Sequence, residues 1–254
     1  MNKTADFAIY PTLLDMYTNY VKSDTIWEKY WGYSNNPLHT PEEFHELKFM
    51  DLIDAINRVE GEVNEAADRG TCFNEVVDCL ILNRPTQRED MTITSDKANN
   101  VVRATLHGFS FEFPLDLCMR WAKKYKGAIP QHRCEAMIDT PYGTVKLYGY
   151  IDELMPFSIH DIKTTGSYNF GKFRDNWQHR VYPYCMAESG MKVESFQYDI
   201  LEIGKDGKFD DYCEFYGYRH ESVKDQLYWV LVDFISFLKD NDRLIDRDKT
   251  HIFI

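Results

Sequence analysis

Hydrophobic and polar positions alternate most regularly between residues 128 and 164. Residues 128–138 and 145–154 read as two half-buried strands turned at Thr140-Pro141-Tyr142-Gly143. Met155-Pro156-Phe157-Ser158 is short enough to send the chain back as a third strand over 158–164. Residues 194–203 and 211–218 form a further strand pair joined through an Asp206-Gly207 turn, and 101–113 another around Gly108. Helical spacing marks 4–22, with Leu13, Leu14, Tyr17 and Val21 on one face. Thr40-Pro41-Glu42-Glu43 opens a helix, with threonine at the N-cap, proline in the first turn and glutamate three residues on. That helix is expected to run to about residue 68, where Gly70 breaks it and Thr71 caps the next, buried along Phe73, Val76, Val77, Leu80 and Ile81. Helices are also predicted over 114–126, from Gln178 onward and over 221–238, while 27–38 reads as a loose aromatic stretch and 83–100 as a polar loop.

Together these elements predict an α/β chain with a helical N-terminal region. At 254 residues it is long enough for one sizeable core, and residues 1–254 are read as a single domain. Within it, 1–69 form the helical elaboration, 70–218 the core and 219–254 a closing helix.

Composition narrows the setting. A chain that is 44% hydrophobic and 15% aromatic folds rather than staying disordered. No apolar run approaches the roughly 18 residues of a membrane helix, and the start lacks a signal peptide's pattern, so no membrane partner and a cytoplasmic location are expected. The six cysteines include no C-x-x-C pair and are expected to be small buried thiols. Net charge is -12, with 41 acids against 29 bases, which argues against unspecific coating of nucleic acid. The basic exceptions are Arg84, Arg88, Lys97 and Arg103 in and beside the polar loop, and Arg120, Lys123, Lys124 and Lys126 on the helix before the core strands.

Candidate chemistry is concentrated between Gly149 and Tyr182. Asp161 and Lys163 are two apart on a strand and share a face, and the preceding hairpin brings Asp152 alongside Asp161. Two converging carboxylates suit a hard divalent cation, Mg²⁺ or Mn²⁺, which activates water and screens a phosphodiester in its transition state. Lys163 is placed to position or deprotonate that water. The reaction these residues point to is phosphodiester hydrolysis.

Gly149-Tyr150-Ile151-Asp152, then Asp161-Ile162-Lys163-Thr164, then Gln178-His179-Arg180-Val181-Tyr182 together resemble the RecB-like branch of the PD-(D/E)XK nuclease superfamily. The resemblance implies a restriction-endonuclease-like mixed sheet flanked by helices and metal-dependent DNA cleavage. It makes Asp152, Asp161 and the Ile162 carbonyl metal ligands, Lys163 the catalytic lysine, and Gln178 and Tyr182 the groups that orient the lysine and the DNA. Arg69-Gly70-Thr71-Cys72-Phe73-Asn74-Glu75 is similar to the family's G-T-x-x-H-E run, with Asn74 where a metal-binding histidine is usual. Asn74 is a weaker, neutral ligand, and Glu75 or Glu135 is a candidate to add a carboxylate. The cysteine cluster of the family's iron-sulfur members is missing, so no iron-sulfur cluster is expected. By the same resemblance the chain is expected to be an exonuclease of phage-type recombination, working on linear DNA ends, with a homo-oligomer or a recombination protein as partner. An endonuclease or nickase, and an inactive nuclease-fold module that only binds DNA, are the alternatives, the last favoured by Asn74.

Overall fold

The computed structural model describes residues 4–254. From the N-terminus, strand β1 (Phe7–Ile9) leads into helices α1 (Pro11–Val21), α2 (Ser23–Trp31), α3 (Pro41–Ile56) and α4 (Glu65–Leu82). Strands β2 (Met91–Asp96), β3 (Val101–Leu106) and β4 (Phe109–Pro114) precede α5 (Leu115–Lys124). Then come β5 (Ile129–Thr140), β6 (Gly143–Met155), β7 (Ser158–Thr165), α6 (Gln178–Glu188), β8 (Ser195–Ile203), β9 (Phe209–Gly217) and α7 (His220–Asp240).

The main sheet runs β1-β6-β7-β8-β9, with β5 paired along β6. It is mixed, because β1 lies parallel to β6 and β7 parallel to β8, while the other pairs are antiparallel. β2, β3 and β4 make a separate antiparallel sheet. Helices cover both faces of the main sheet. On one face, α1, α3, α6 and α7 bury Leu14, Ile53, Val181 and Phe234 against Leu147, Ile159 and Phe196. On the other, α4, α5 and the small sheet enclose Phe73, Phe113 and Trp121 with Ile162 and Leu201. Because side chains alternate along a strand, Ile162 enters the second core while Asp161 and Lys163 turn to the opposite face. Among the described residues no helix is long and apolar enough to cross a membrane.

Several predicted elements shift. The helix expected from residue 4 starts at Pro11, because Phe7–Ile9 is a buried strand in register with Val145, Lys146 and Leu147 of β6. A three-residue apolar run has too little length to declare its period. The loose aromatic stretch is helical as far as Trp31. The capping box at Thr40 forms as expected, with the Thr40 hydroxyl accepting from Glu43 N and the Glu43 carboxylate accepting from Thr40 N. α3 nevertheless stops at Ile56 rather than near 68, and the Asn64 side chain, accepting from Ala66 N and Ala67 N, starts α4. Gly70 therefore sits inside a helix instead of breaking one, and the Thr71 hydroxyl donates back to the Ala67 carbonyl rather than capping. A Cβ on Gly70 would stand 3.0 Å from Thr164 Oγ1, so the glycine serves close packing of α4 on β7. Part of the expected 83–100 loop is β2, paired along its length with β3.

Candidate active site

β6 and β7 hydrogen-bond only near their turn, from Met155↔Ser158 to Glu153↔His160. Beyond that point they part, β6 continuing beside β1 and β7 beside β8. One register step into this fork stands Asp152 opposite Asp161. Asp152 Oδ2 accepts the Ile162 N–H at 2.9 Å, a side chain taking the place of a strand carbonyl. A strand residue sends its N–H and C=O to the same edge, so the Ile162 carbonyl also faces the fork. The β5–β6 ladder is interrupted here too: between Pro130↔Glu153 and His132↔Ile151, Gln131 takes a left-handed φ of 52°.

Lys163 Nζ lies 2.7 Å from Asp161 Oδ2. Its position is fixed by the first residue of α6: Gln178 Oε1 accepts from Lys163 Nζ at 2.7 Å, and Gln178 Nε2 donates to Asp161 Oδ1 at 2.7 Å. The same amide reaches the Tyr182 hydroxyl at 3.5 Å. Tyr182 lies flat over Gly149, where a Cβ would approach its Cε1 to 2.5 Å, and this is the physical need for glycine three residues before Asp152. The start of α6 is itself held by α1. Asp15 Oδ1 accepts the Trp177 N–H at 2.6 Å, and Trp177 Nε1 donates to Thr18 Oγ1 at 2.8 Å. A carboxylate at that helix end also faces the positive pole of the helix dipole.

From the other face α4 brings Asn74 and Asp78, one turn apart. Asn74 Nδ2 donates to Asp152 Oδ2 at 3.2 Å, and Asp78 Oδ2 accepts from Gln131 Nε2 at 3.1 Å. Asp78 abuts Glu153, which is fully buried. Among the described residues, the buried side-chain oxygens without a hydrogen-bond donor are Asn74 Oδ1, Asp78 Oδ1, both Glu153 oxygens and Asp161 Oδ2. All of them belong to the surroundings of Asp152. Asp161 Oδ2 has the Lys163 charge beside it but no well-directed donor, and Asp78 and Glu153 satisfy one another only by sharing a proton. Unmet oxygens of this kind each cost about 1–3 kcal/mol, more when charged.

Electrostatics report the same crowding. Burial, with the charge of Asp161 added, raises Asp152 to about 8. Burial and Asp78 raise Glu153 to about 10, and burial lifts Asp78 to about 6. Burial also raises Asp161, against the pull of Lys163. For Lys163 burial acts downward but is outweighed by Asp161 and Asp152, so the net shift is upward and the side chain is an ammonium. Without a cation in the fork Lys163 is a fixed positive charge rather than a base.

This donor set fits a divalent cation. Asp152, Asp161 and the Ile162 carbonyl are hard oxygens at one fork, and Asn74, which turns its Nδ2 to Asp152, would present Oδ1 there after a flip of its amide; positive charge in the fork would relieve the repulsion between the carboxylates. Among the described residues no three His, Cys, Asp or Glu side chains are placed to hold a metal together. Two carboxylates completed by neutral oxygens is the composition that suits Mg²⁺, which keeps several waters. A cavity of about 470 Å³ opens from this region, lined by Thr71, Asn74, Glu75, Asp78, Arg84 and Asp152 among others.

Other predicted residues stand apart. Glu75 is ion-paired with Arg84 at 3.1 Å. Glu135 pairs with Arg133 at 2.8 Å and lies opposite Tyr148, four residues along β5 from Gln131, so it does not join the carboxylates. The basic residues singled out in the sequence are largely spent on local acids: Arg88 on Asp90, Arg103 on Glu112, Arg120 on Asp211 and Lys124 on Asp199. His179 packs by stacking on Tyr216, and His160 Nδ1 lies 2.8 Å from Asp199 Oδ2. The six cysteines are free, with Cys72, Cys118, Cys134 and Cys185 buried, Cys79 half-buried and Cys213 exposed. Sequence reasoning did not find Asp15, Gln131 or Glu153. Glu153 left a trace, since two adjacent acids in one alternating strand cannot both face water; Asp15 and Gln131 left none.

No family model and no curated protein sequence matches the chain. Among solved structures it is similar to the protein SSO0001, with a TM-score of 0.41 and 13% identity over 92% of this chain and 78% of the other. It is also similar to a protein of Eubacterium rectale provisionally assigned as an exonuclease, with a TM-score of 0.43 and 14% identity over 91% of this chain and 85% of the other.

Proposed function

We propose that this chain is a metal-dependent nuclease that hydrolyses phosphodiester bonds of DNA, working from linear ends as phage-type recombination exonucleases do. The observation that carries the reading is the convergence of unmet buried oxygens on the fork around Asp152 and Asp161. Mg²⁺ or Mn²⁺ bound by Asp152, Asp161 and the Ile162 carbonyl, joined by Asn74 Oδ1 if its amide flips away from the present Nδ2 contact with Asp152, would polarise a phosphodiester oxygen and make bound water more acidic. The protein's own part is positioning and charge. Lys163 offers its ammonium to a phosphate oxygen or to the attacking water, and Gln178 holds Lys163 and Asp161 in fixed relation. Tyr182 and Gly149 lock α6 against β6, and Asp15 fixes where α6 begins.

Action at ends and assembly with itself or with a recombination protein follow from the sequence resemblance alone. A second reading, a nuclease-fold module that binds DNA without cutting it, is favoured by Asn74, whose amide donates to Asp152 where an imidazole ligand is usual. Incubation with end-labelled linear DNA and with a closed circle, in Mg²⁺, Mn²⁺ or chelator, separates these readings. Metal-dependent release of nucleotides from the linear DNA alone, lost in Asp161→Asn and in Lys163→Ala, is the expected result. Cutting of the circle would make the enzyme an endonuclease, and binding without cutting in either metal would leave the second reading.

A further inference from the structure

A cleft of about 910 Å³ lies at the carboxyl ends of the parallel strands β7 and β8. Its walls are α4 at Arg69, the connection after β7 with Thr165, Gly166, Ser167 and Lys172, and the β8–β9 turn with Gly204, Lys205 and Gly207. Three cations and no carboxylate line it, in a chain whose net charge is -12. These charges are also less spent than those of Arg84, Arg88 and Arg103 in and beside the polar loop. Lys205 has no carboxylate partner among the described residues, and Lys172 Nζ donates to the neutral Thr165 hydroxyl and to the Ser167 carbonyl at 2.8 Å. Arg69 shares its charge with Glu65 at 2.8 Å, an exposed pair of small worth, and lies over the Phe111 ring. The Thr165 hydroxyl spends its hydrogen on the Ser167 carbonyl, so the Ser167 hydroxyl and three glycines that leave the backbone bare complete the surface. Thr165 is two residues beyond Lys163 on the same strand, roughly 7 Å at the rise of a β-strand. The carboxyl ends of parallel strands are also where open α/β sheets take their ligands.

We infer that this cleft binds the phosphates of the nucleic-acid strand adjoining the one to be cut, with Lys205, Lys172 and Arg69 as backbone contacts. The inference rests on the nuclease reading for its ligand but on separate residues for its site. It supplies what the acidic composition lacks, a local cationic track leading to Asp161 and Lys163.

The test is equilibrium binding of a fluorescein-labelled single-stranded DNA oligonucleotide, followed by anisotropy in EDTA over a series of salt concentrations, so that no cleavage intervenes. Lys205→Glu is the first variant because the side chain is exposed and unpaired; Lys172→Met is the second, and Lys224→Glu on α7 is a matched charge change away from the cleft. Lys205→Glu and Lys172→Met are each expected to weaken binding and to lower the slope of log K against log salt by about 0.7. Lys224→Glu is expected to leave the slope as in wild type. Unchanged affinity and slope in both cleft variants, or equal losses in all three, would overturn the assignment and leave the nuclease reading standing. Absence of wild-type binding would also overturn it, and metal-dependent cleavage measured separately would then show whether the nuclease reading falls as well.

Discussion

Gln178 is the residue through which the candidate site is held together, because one amide satisfies the lysine on one side and a carboxylate on the other. Gln178→Ala is expected to reduce kcat about 10- to 100-fold while changing Mg²⁺ affinity much less, since it removes a supporting group and no ligand. Steady-state cleavage beside calorimetric metal binding checks this, and an unchanged kcat would reduce Gln178 to packing. Strand period and hairpin length were enough to bring Asp152, Asp161 and Lys163 together from the sequence, whereas Gln178 and Tyr182 were named only by the family resemblance. Glu75 was not decidable in the sequence. Arg133 neutralises Glu135 from two residues away on the same strand face, a pattern open to reading, but Arg84 reaches Glu75 from beyond the end of α4 through chain geometry that no local pattern encodes. The role of Lys163 as a fixed ammonium likewise needed the burial of its neighbours to be known.

At the scale of elements, the β6–β7 hairpin, the β8–β9 pair and the long C-terminal helix were readable from alternation and amphipathicity. The N-terminal strand and the α3–α4 break were not. β1 is too short to show a period, and its stability comes from parallel pairing with a distant strand. Gly70 misled because glycine marks both helix ends and close contacts, and only Thr164 beside it distinguishes the two. Gly149 shows the same principle at the site. Gly149→Ala would force a methyl group to within 2.5 Å of the Tyr182 ring, displacing α6 from β6. The expected cost is about 1–3 kcal/mol of stability, measured by urea unfolding. Pairing the change with Tyr182→Leu should recover part of it, whereas full tolerance of Gly149→Ala would mean that α6 moves freely and does not set the site.

The whole molecule carries 41 acids against 29 bases, and its least comfortable acids lie in one place. Asp78, Asp152 and Glu153 have folded pKa values raised to about 6, 8 and 10, above their ordinary values of 3.8, 3.8 and 4.5. An acid whose folded value is raised binds protons more readily in the native state. Its contribution is complete below about pH 4, where the unfolded chain is protonated as well, and is lost as pH rises through the folded value. The metal-free protein should therefore lose stability progressively between about pH 4 and pH 10, the last part with Glu153. A cation bound at Asp152 and Asp161 would replace the Asp152 proton, and at a hundredfold excess over its Kd would add about 2.7 kcal/mol, or roughly 5–10 °C in Tm for a domain of this size. The measurement that bears most directly on the metal centre is thermal unfolding with Mg²⁺ and with chelator, at pH 6 and pH 8, for wild type and an Asp152→Asn/Asp161→Asn variant. The account predicts a metal-dependent rise in wild-type Tm that is larger at the higher pH and absent from the variant. Equal Tm with metal and chelator in wild type, or the same rise in the variant, would contradict a divalent-cation centre at Asp152 and Asp161.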